Sequence, residues 1–235
     1  MQELLHGAGV TLAYIIAMAL LMLGARALIR IPDELFRKLL HFVLLGAYIP
    51  FLFAFETWWI SAGFAALLIV VLFPVLILAA KIPKFSSFVN ERKKGEFKSS
   101  MVLALGMMVV SISVCWGIFD DRYLVMACMY AWGVGDAFAA LVGKRFGKHK
   151  IGWSFVDQKK SYEGSAAMIV TSALAVFTVL ILRGGLSVIE AAVVSLVAAT
   201  ASAFVELLTK SGFDTVTCPA AAMAVIIPML YVFGG

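Results

Sequence analysis

"RYLVMACMYAWGVGDAFAALVGKRFGKHK", residues 122–150, decides the fold class. Residues 122–143 are almost continuously apolar, enough to carry a helix across the ~30 Å hydrocarbon core of a bilayer. The run then gives way to glycine and positive charge at Lys144, Arg145, Lys148, His149 and Lys150. Inside the apolar part, about two helical turns before the exit, sits Asp136. A carboxylate at that depth costs about 2.5–3.5 kcal/mol on insertion scales, so it marks a working site by default.

The rest of the chain repeats the apolar theme. Of its 235 residues, 63% are hydrophobic and 14% charged, and the mean hydropathy is +1.02. A soluble domain carries roughly 25% charged residues. The expected fold is an all-α integral membrane protein, a bundle of about seven or eight transmembrane helices in one domain, residues 1–235. Candidate spans fall at roughly 8–29, 37–55, 58–80, 99–119, 122–143, 162–182, 187–208 and 217–233. The first apolar run has an acidic flank and no basic n-region, so no removable signal peptide is expected.

Charge sorts the connections. Of the 19 Lys and Arg residues, all but Arg122 and Arg183 fall in the odd-numbered connections or at their edges. The positive-inside rule then places those connections in the cytoplasm and both termini outside. Two basic loops dominate that side, residues 81–100 and 144–161. In the first, Phe85, Phe88 and Val89 share a helical face amid basic residues, the pattern of an interfacial amphipathic helix; a solvated charged loop is the alternative. The outer turns are too short to hold an active site. The formal charge of +5 suits anionic headgroups or phosphates, and no nucleic-acid motif accompanies it. Cys115, Cys128 and Cys218 lie in apolar segments without metal-ligand spacing and read as small buried residues.

Four acids fall near the cytoplasmic level: Asp136, Glu163 in "KKSYEGSAAM", Glu206 in "ASAFVELLTK" and Asp214 in "GFDTVTCPAA". Carboxylates beside a basic loop are what Mg²⁺ and a polyphosphate require. The ion takes one or two carboxylates plus phosphate oxygens, while Lys and Arg neutralise the remainder. Helix capping is the competing account of Glu163 and Asp214 taken singly. Ala131, Gly135, Ala139, Gly143 and Gly147 recur every four residues, a spacing that lets a second helix pack closely. On the second span, Arg37 and His41 share a face beside Lys38, a pattern for lipid-headgroup or phosphate binding. No Walker A sequence occurs, and "GVGDAF" does not complete a GxGxxG.

Taken in order, "RKLLH", "GDAFAALVGKRFGKHK", "KKSYEGS" and the Glu206-to-"DTVTCPAA" region resemble the dolichol kinase and phytol kinase group of membrane lipid kinases. That group includes CTP-dependent diacylglycerol kinases and is related to phosphatidate cytidylyltransferases. The resemblance implies a nucleoside triphosphate donor, CTP or ATP, used with Mg²⁺, and a membrane lipid alcohol as acceptor: an isoprenoid alcohol or diacylglycerol. It implies Asp136 and Asp214 as metal ligands, with Asp136, Glu163 and Glu206 as the catalytic acids. Gly143, Lys144, Gly147, Lys148, Lys150, Lys160 and Ser161 would bind nucleotide. The ending "DTVTCP" is similar to the kinases' D-N-x-x-x-P pattern with Thr215 in place of Asn, and the HGG and D-R-x-D signature of the cytidylyltransferases is missing. A phosphatidate cytidylyltransferase is the nearest competing enzyme. A small membrane transporter competes from another class, although such sites lie near the midplane between repeats.

Overall fold

The computed structural model describes residues 1–79, 81, 96–153, 156–209 and 212–234. The amphipathic helix expected around Phe85, Phe88 and Val89 lies outside them. Among the described residues, eight helical segments are long and apolar enough to cross a membrane, and no named strand occurs. The protein is an all-α integral membrane protein. In chain order the helices are α1 (Gln2–Leu28), α2 (Asp33–Gly46), α3 (Tyr48–Phe53), α4 (Trp58–Ala79), α5 (Glu96–Ser111), α6 (Arg122–Phe146), α7 (Tyr162–Arg183), α8 (Val188–Leu208) and α9 (Asp214–Phe233). They fall into two compact units, Met1–Asp120 and Asp121–Gly235.

In the first unit, α1 begins at Gln2, earlier than its hydropathy predicts. Glu3 explains the extension: its carboxylate accepts the Glu56 and Thr57 backbone N–H groups at 3.0 and 2.8 Å. The second span runs from Asp33 to Phe53. Its hydrogen-bond ladder misses one rung next to Ala47, because Pro50 lacks the N–H that would close onto Gly46, while the backbone at Ala47 stays helical. Tyr48, Phe51, Leu52 and Phe55 are buried there, with the Phe51 and Phe55 rings centred 5.8 and 5.7 Å from that of Phe64. Residues Ile112–Ile118 continue α5 as a π-helical stretch. Arg26 bridges the α1–α2 corner, 2.9 Å from Asp33 and with its guanidinium 4.7 Å from the centre of the Phe36 ring.

The second unit is a closed four-helix bundle in which α6 packs on α7, α7 on α8, α8 on α9, and α9 returns to α6. The small-residue ridge of α6 forms its tightest seam. Ser172 of α7 donates to the Ala131 carbonyl at 2.5 Å. A Cβ added to Gly135 would fall 2.1 Å from the Ser172 Oγ and 2.8 Å from the Met168 Cγ. At the end where α6 begins and α7 finishes, Arg183 pairs with Asp121, whose side chain also caps α6 by accepting the Leu124 N–H at 3.0 Å. This contact accounts for Arg183, one of the two basic residues opposite the charged loops. Cys128 and Cys218 are buried free thiols here, as Cys115 is in the first unit.

Gly135→Ala is therefore expected to destabilise the fold by about 1–3 kcal/mol, the usual cost of overpacking a tight seam. Thermal unfolding in detergent reads the effect. A variant as stable as the parent would show that the seam relaxes freely.

Candidate functional site

Three helix junctions of the second unit meet at one end: the exit of α6, the entry of α7, and the turn from α8 into α9. Each carries an acid expected from the sequence. Asp136 is half-buried on α6. One turn earlier, Trp132 points its indole N–H at the Asp214 Oδ2, 3.2 Å away, and ties α6 to the first residue of α9. Asp214 also accepts the Gly212 N–H through its other oxygen at 2.9 Å. Glu206, near the end of α8, receives Lys160 from the entry of α7: the ammonium lies 3.0 Å from the Glu206 Oε1 and also donates to the Glu206 backbone carbonyl. Side-chain exposures of 19% for Lys160 and 17% for Glu206 place this pair largely out of solvent. Glu206 senses the charges of Asp136 and Asp214, and the buried Cys218 thiol of α9 senses all three. Three carboxylates from three helices thus share one neighbourhood.

The basic segment beyond α6 folds back as a short hairpin. Lys150 pairs with Ser161 in an antiparallel bridge. Ile151 donates to the Lys160 carbonyl at 3.2 Å, and Tyr162 donates to that of His149 at 3.1 Å. Ile151 and Val156 bury their side chains beneath it, at 1% and 4% exposure. Lys144, Lys148, Lys150 and Lys159 remain exposed. Gly143 and Gly147 lie where the hairpin crosses α7. A Cβ on Gly147 would come within 2.2 Å of the Gly143 carbonyl oxygen and 2.5 Å of the Ser161 Oγ. Ser161 is buried as the N-cap of α7, its hydroxyl accepting the Gly164 N–H at 3.2 Å. Glu163 accepts hydrogen bonds from the hairpin backbone and from the His149 ring.

Arg37, Lys38 and His41 belong to the first unit. Arg37 pairs with Glu34 one turn back, Lys38 is 4% exposed, and His41 sets its ring edge-on to Phe42. Sequence reasoning passed over Trp132 and His149. Their signals were present: Trp132 precedes Asp136 by one turn, and a buried indole N–H needs an acceptor; His149 stands inside the basic motif itself.

A polytopic helical membrane protein with carboxylates and a lysine-rich hairpin at one end of a four-helix unit is the class these features define. Residues 4–213 match the family model described as the cytidylyltransferase family, and the chain belongs to that family. A phytol kinase of Synechocystis sp. (strain ATCC 27184 / PCC 6803 / Kazusa) is 29% identical over 194 residues, spanning 80% of this chain and 76% of that protein. Both findings uphold the resemblance to the dolichol and phytol kinase group. The model match ends just before Asp214, so the "DTVTCP" stretch lies outside it. No solved structure matches the chain.

Proposed function

We propose that this protein is a membrane lipid kinase that transfers the γ-phosphate of a nucleoside triphosphate, CTP in our reading, to the hydroxyl of an isoprenoid alcohol or diacylglycerol. The observation that carries the reading is the set of helix-end contacts beside the lysine hairpin of the second unit: Lys160 pairs with Glu206, and Asp214 is tied to Trp132 one turn from Asp136. The similarity to a phytol kinase supports it.

Mg²⁺ suits this donor set. Mg²⁺ commonly binds through one or two carboxylates with phosphate and water completing its shell, a demand that the two aspartates meet by chemical type; a preformed group of three or more His, Cys, Asp or Glu is not found among the described residues. Asp136 and Asp214 are the ligands we assign. When bound, the ion supplies charge neutralisation at the phosphate oxygens. Lys144, Lys148 and Lys150 draw the nucleotide from water, and Gly143 and Gly147 act indirectly, letting the hairpin cross α7 closely enough to hold those lysines. Lys160 meets the phosphates from the entry of α7, while Ser161, buried as the N-cap, holds that entry in place behind it. Glu206 orients the acceptor hydroxyl. In the transfer, the hydroxyl oxygen bonds to the γ-phosphorus and the bond to the β–γ bridging oxygen breaks. The hydroxyl proton passes to a carboxylate, and a nucleoside diphosphate departs. On α2, Arg37 and His41 bind lipid headgroup or phosphate, whereas Lys38 is buried and takes no part.

The family match favours a second reading, in which a phosphatidic acid attacks CTP and pyrophosphate leaves. Purified protein incubated with labelled CTP or ATP and a panel of lipid alcohols and phosphatidic acid separates the two. A phosphorylated lipid alcohol with a nucleoside diphosphate is expected; a CDP-lipid with pyrophosphate would establish the alternative.

The site faces the cytoplasm in this reading, in the cytoplasmic membrane of a prokaryote, with the chain acting as one domain. Gly152 has open space where a side chain would project. Gly152→Cys is expected to label with a membrane-impermeant maleimide only in inside-out vesicles, and Leu186→Cys only in right-side-out ones. Labelling of both from one side would reject this topology.

A further inference from the structure

Glu163 spends its carboxylate on the hairpin. The Lys148 and His149 backbone N–H groups lie 3.2 and 3.1 Å from its Oε1, and the His149 N–H also reaches Oε2 at 3.3 Å. The His149 Nδ1 lies 2.7 Å from the same Oε1. Thus two consecutive backbone donors and one ring nitrogen converge on a single side chain in the first turn of α7. A carboxylate there is also favoured by the helix dipole. The two arms concerned, residues 147–151 and 159–161, are otherwise joined by the Lys150–Ser161 bridge and the Lys150 Nζ bond to the Lys159 carbonyl at 3.2 Å. Lys148 and Lys150 flank the clasped residue on either side. Fixing the backbone at 148 and 149 therefore sets where both ammonium groups leave the chain.

We infer that Glu163 and His149 form a clasp that holds the hairpin in its nucleotide-receiving conformation. Both are positioning residues: they act through Lys148 and Lys150, and Glu163 does not touch the reacting atoms. This reassigns Glu163 from the catalytic role implied by family resemblance, and it gives His149 a role. Lowering the entropy of a binding loop before the ligand arrives raises affinity without a new contact. The inference rests on the proposed function only in naming a nucleotide as the ligand.

The test combines hydrogen exchange, equilibrium binding of CTP with Mg²⁺, and steady-state turnover on the full chain in detergent. Glu163→Ala should lose protection of the 148 and 149 amides and weaken CTP binding by about tenfold, the size of one lost charge-assisted hydrogen bond. Turnover at saturating CTP should stay within about threefold of the parent, because bound nucleotide meets the same reacting groups. His149→Ala should move binding the same way by a smaller factor. His149→Asn should restore it, since the Asn amide nitrogen stands close to the position of the imidazole Nδ1. If Glu163→Ala does not fold, the His149 pair carries the same readouts at a side chain 79% exposed. Unchanged amide protection in these variants would overturn the clasp. So would a thousandfold loss of turnover in Glu163→Ala with CTP affinity intact, which is the mark of a group on the reacting atoms. Pyrophosphate release by the parent protein would remove the kinase reading alone, because the exchange and CTP-binding measurements still decide the clasp.

Discussion

Asp136→Asn is expected to lower turnover by about 10²–10³-fold while leaving the folded protein at least as stable as the parent. The substitution keeps size and much of the hydrogen bonding but removes the charge that would bind Mg²⁺. A neutral amide is cheaper to hold within an apolar helix than a carboxylate, so insertion should not suffer. If Asp136 served only to join helices, the order of effects would reverse, with stability falling and turnover per folded molecule preserved. Glu190→Gln provides the control. Glu190 forms the capping box that starts α8, with the Ser187 N–H at 2.7 Å from its carboxylate and its own N–H bound to the Ser187 Oγ at 3.3 Å. Gln serves that box almost as well as Glu, so activity should persist. Turnover across a Mg²⁺ titration, with thermal unfolding in parallel, is the measurement. Near-normal turnover of a folded Asp136→Asn protein at low Mg²⁺ would take Asp136 out of the site.

The Lys160–Glu206 pair should show the second-largest effect, and it separates structure from chemistry. Each partner is largely withdrawn from water, so removing one strands the charge of the other. Lys160→Met and Glu206→Gln are each expected to cost about 2–4 kcal/mol, below the value for a fully buried pair because some solvent reaches both. Each should also depress turnover. The double variant removes both charges and should recover much of the stability, since no charge is left unpaired. Turnover should not return with it: a Gln at 206 accepts no proton and orients a hydroxyl poorly, and Met at 160 meets no phosphate. Recovery of both stability and turnover in the double variant would make the pair a strut between α7 and α8 and nothing more.

Much of this protein was legible in residue order alone because a bilayer simplifies the problem. Backbone groups in hydrocarbon must bond internally, so every long apolar run had to be a helix, and eight spans appear in the expected order, the first of them starting earlier than expected at Gln2. The four-residue spacing of Ala131, Gly135, Ala139 and Gly143 likewise announced a close helix neighbour. It could not say which helix; α7 fills that seam because Ser172, Met168 and Gly164 fit its hollows. The four acids were visible as anomalies, since charge is rare and costly within apolar helices. Their partners were not. Whether an acid meets a lysine, an indole or a backbone amide depends on which helix ends are neighbours, and residues 46 or 82 positions apart come together only through packing. The reach of Glu3 to Thr57 depended on tertiary neighbours in the same way. Tertiary structure alone paired Glu206 with Lys160, gave Asp214 to Trp132, and closed Glu163 around the backbone at His149. Hydrophobic partition is a property of each segment, whereas a hydrogen bond between side chains is a property of two segments and the distance between them.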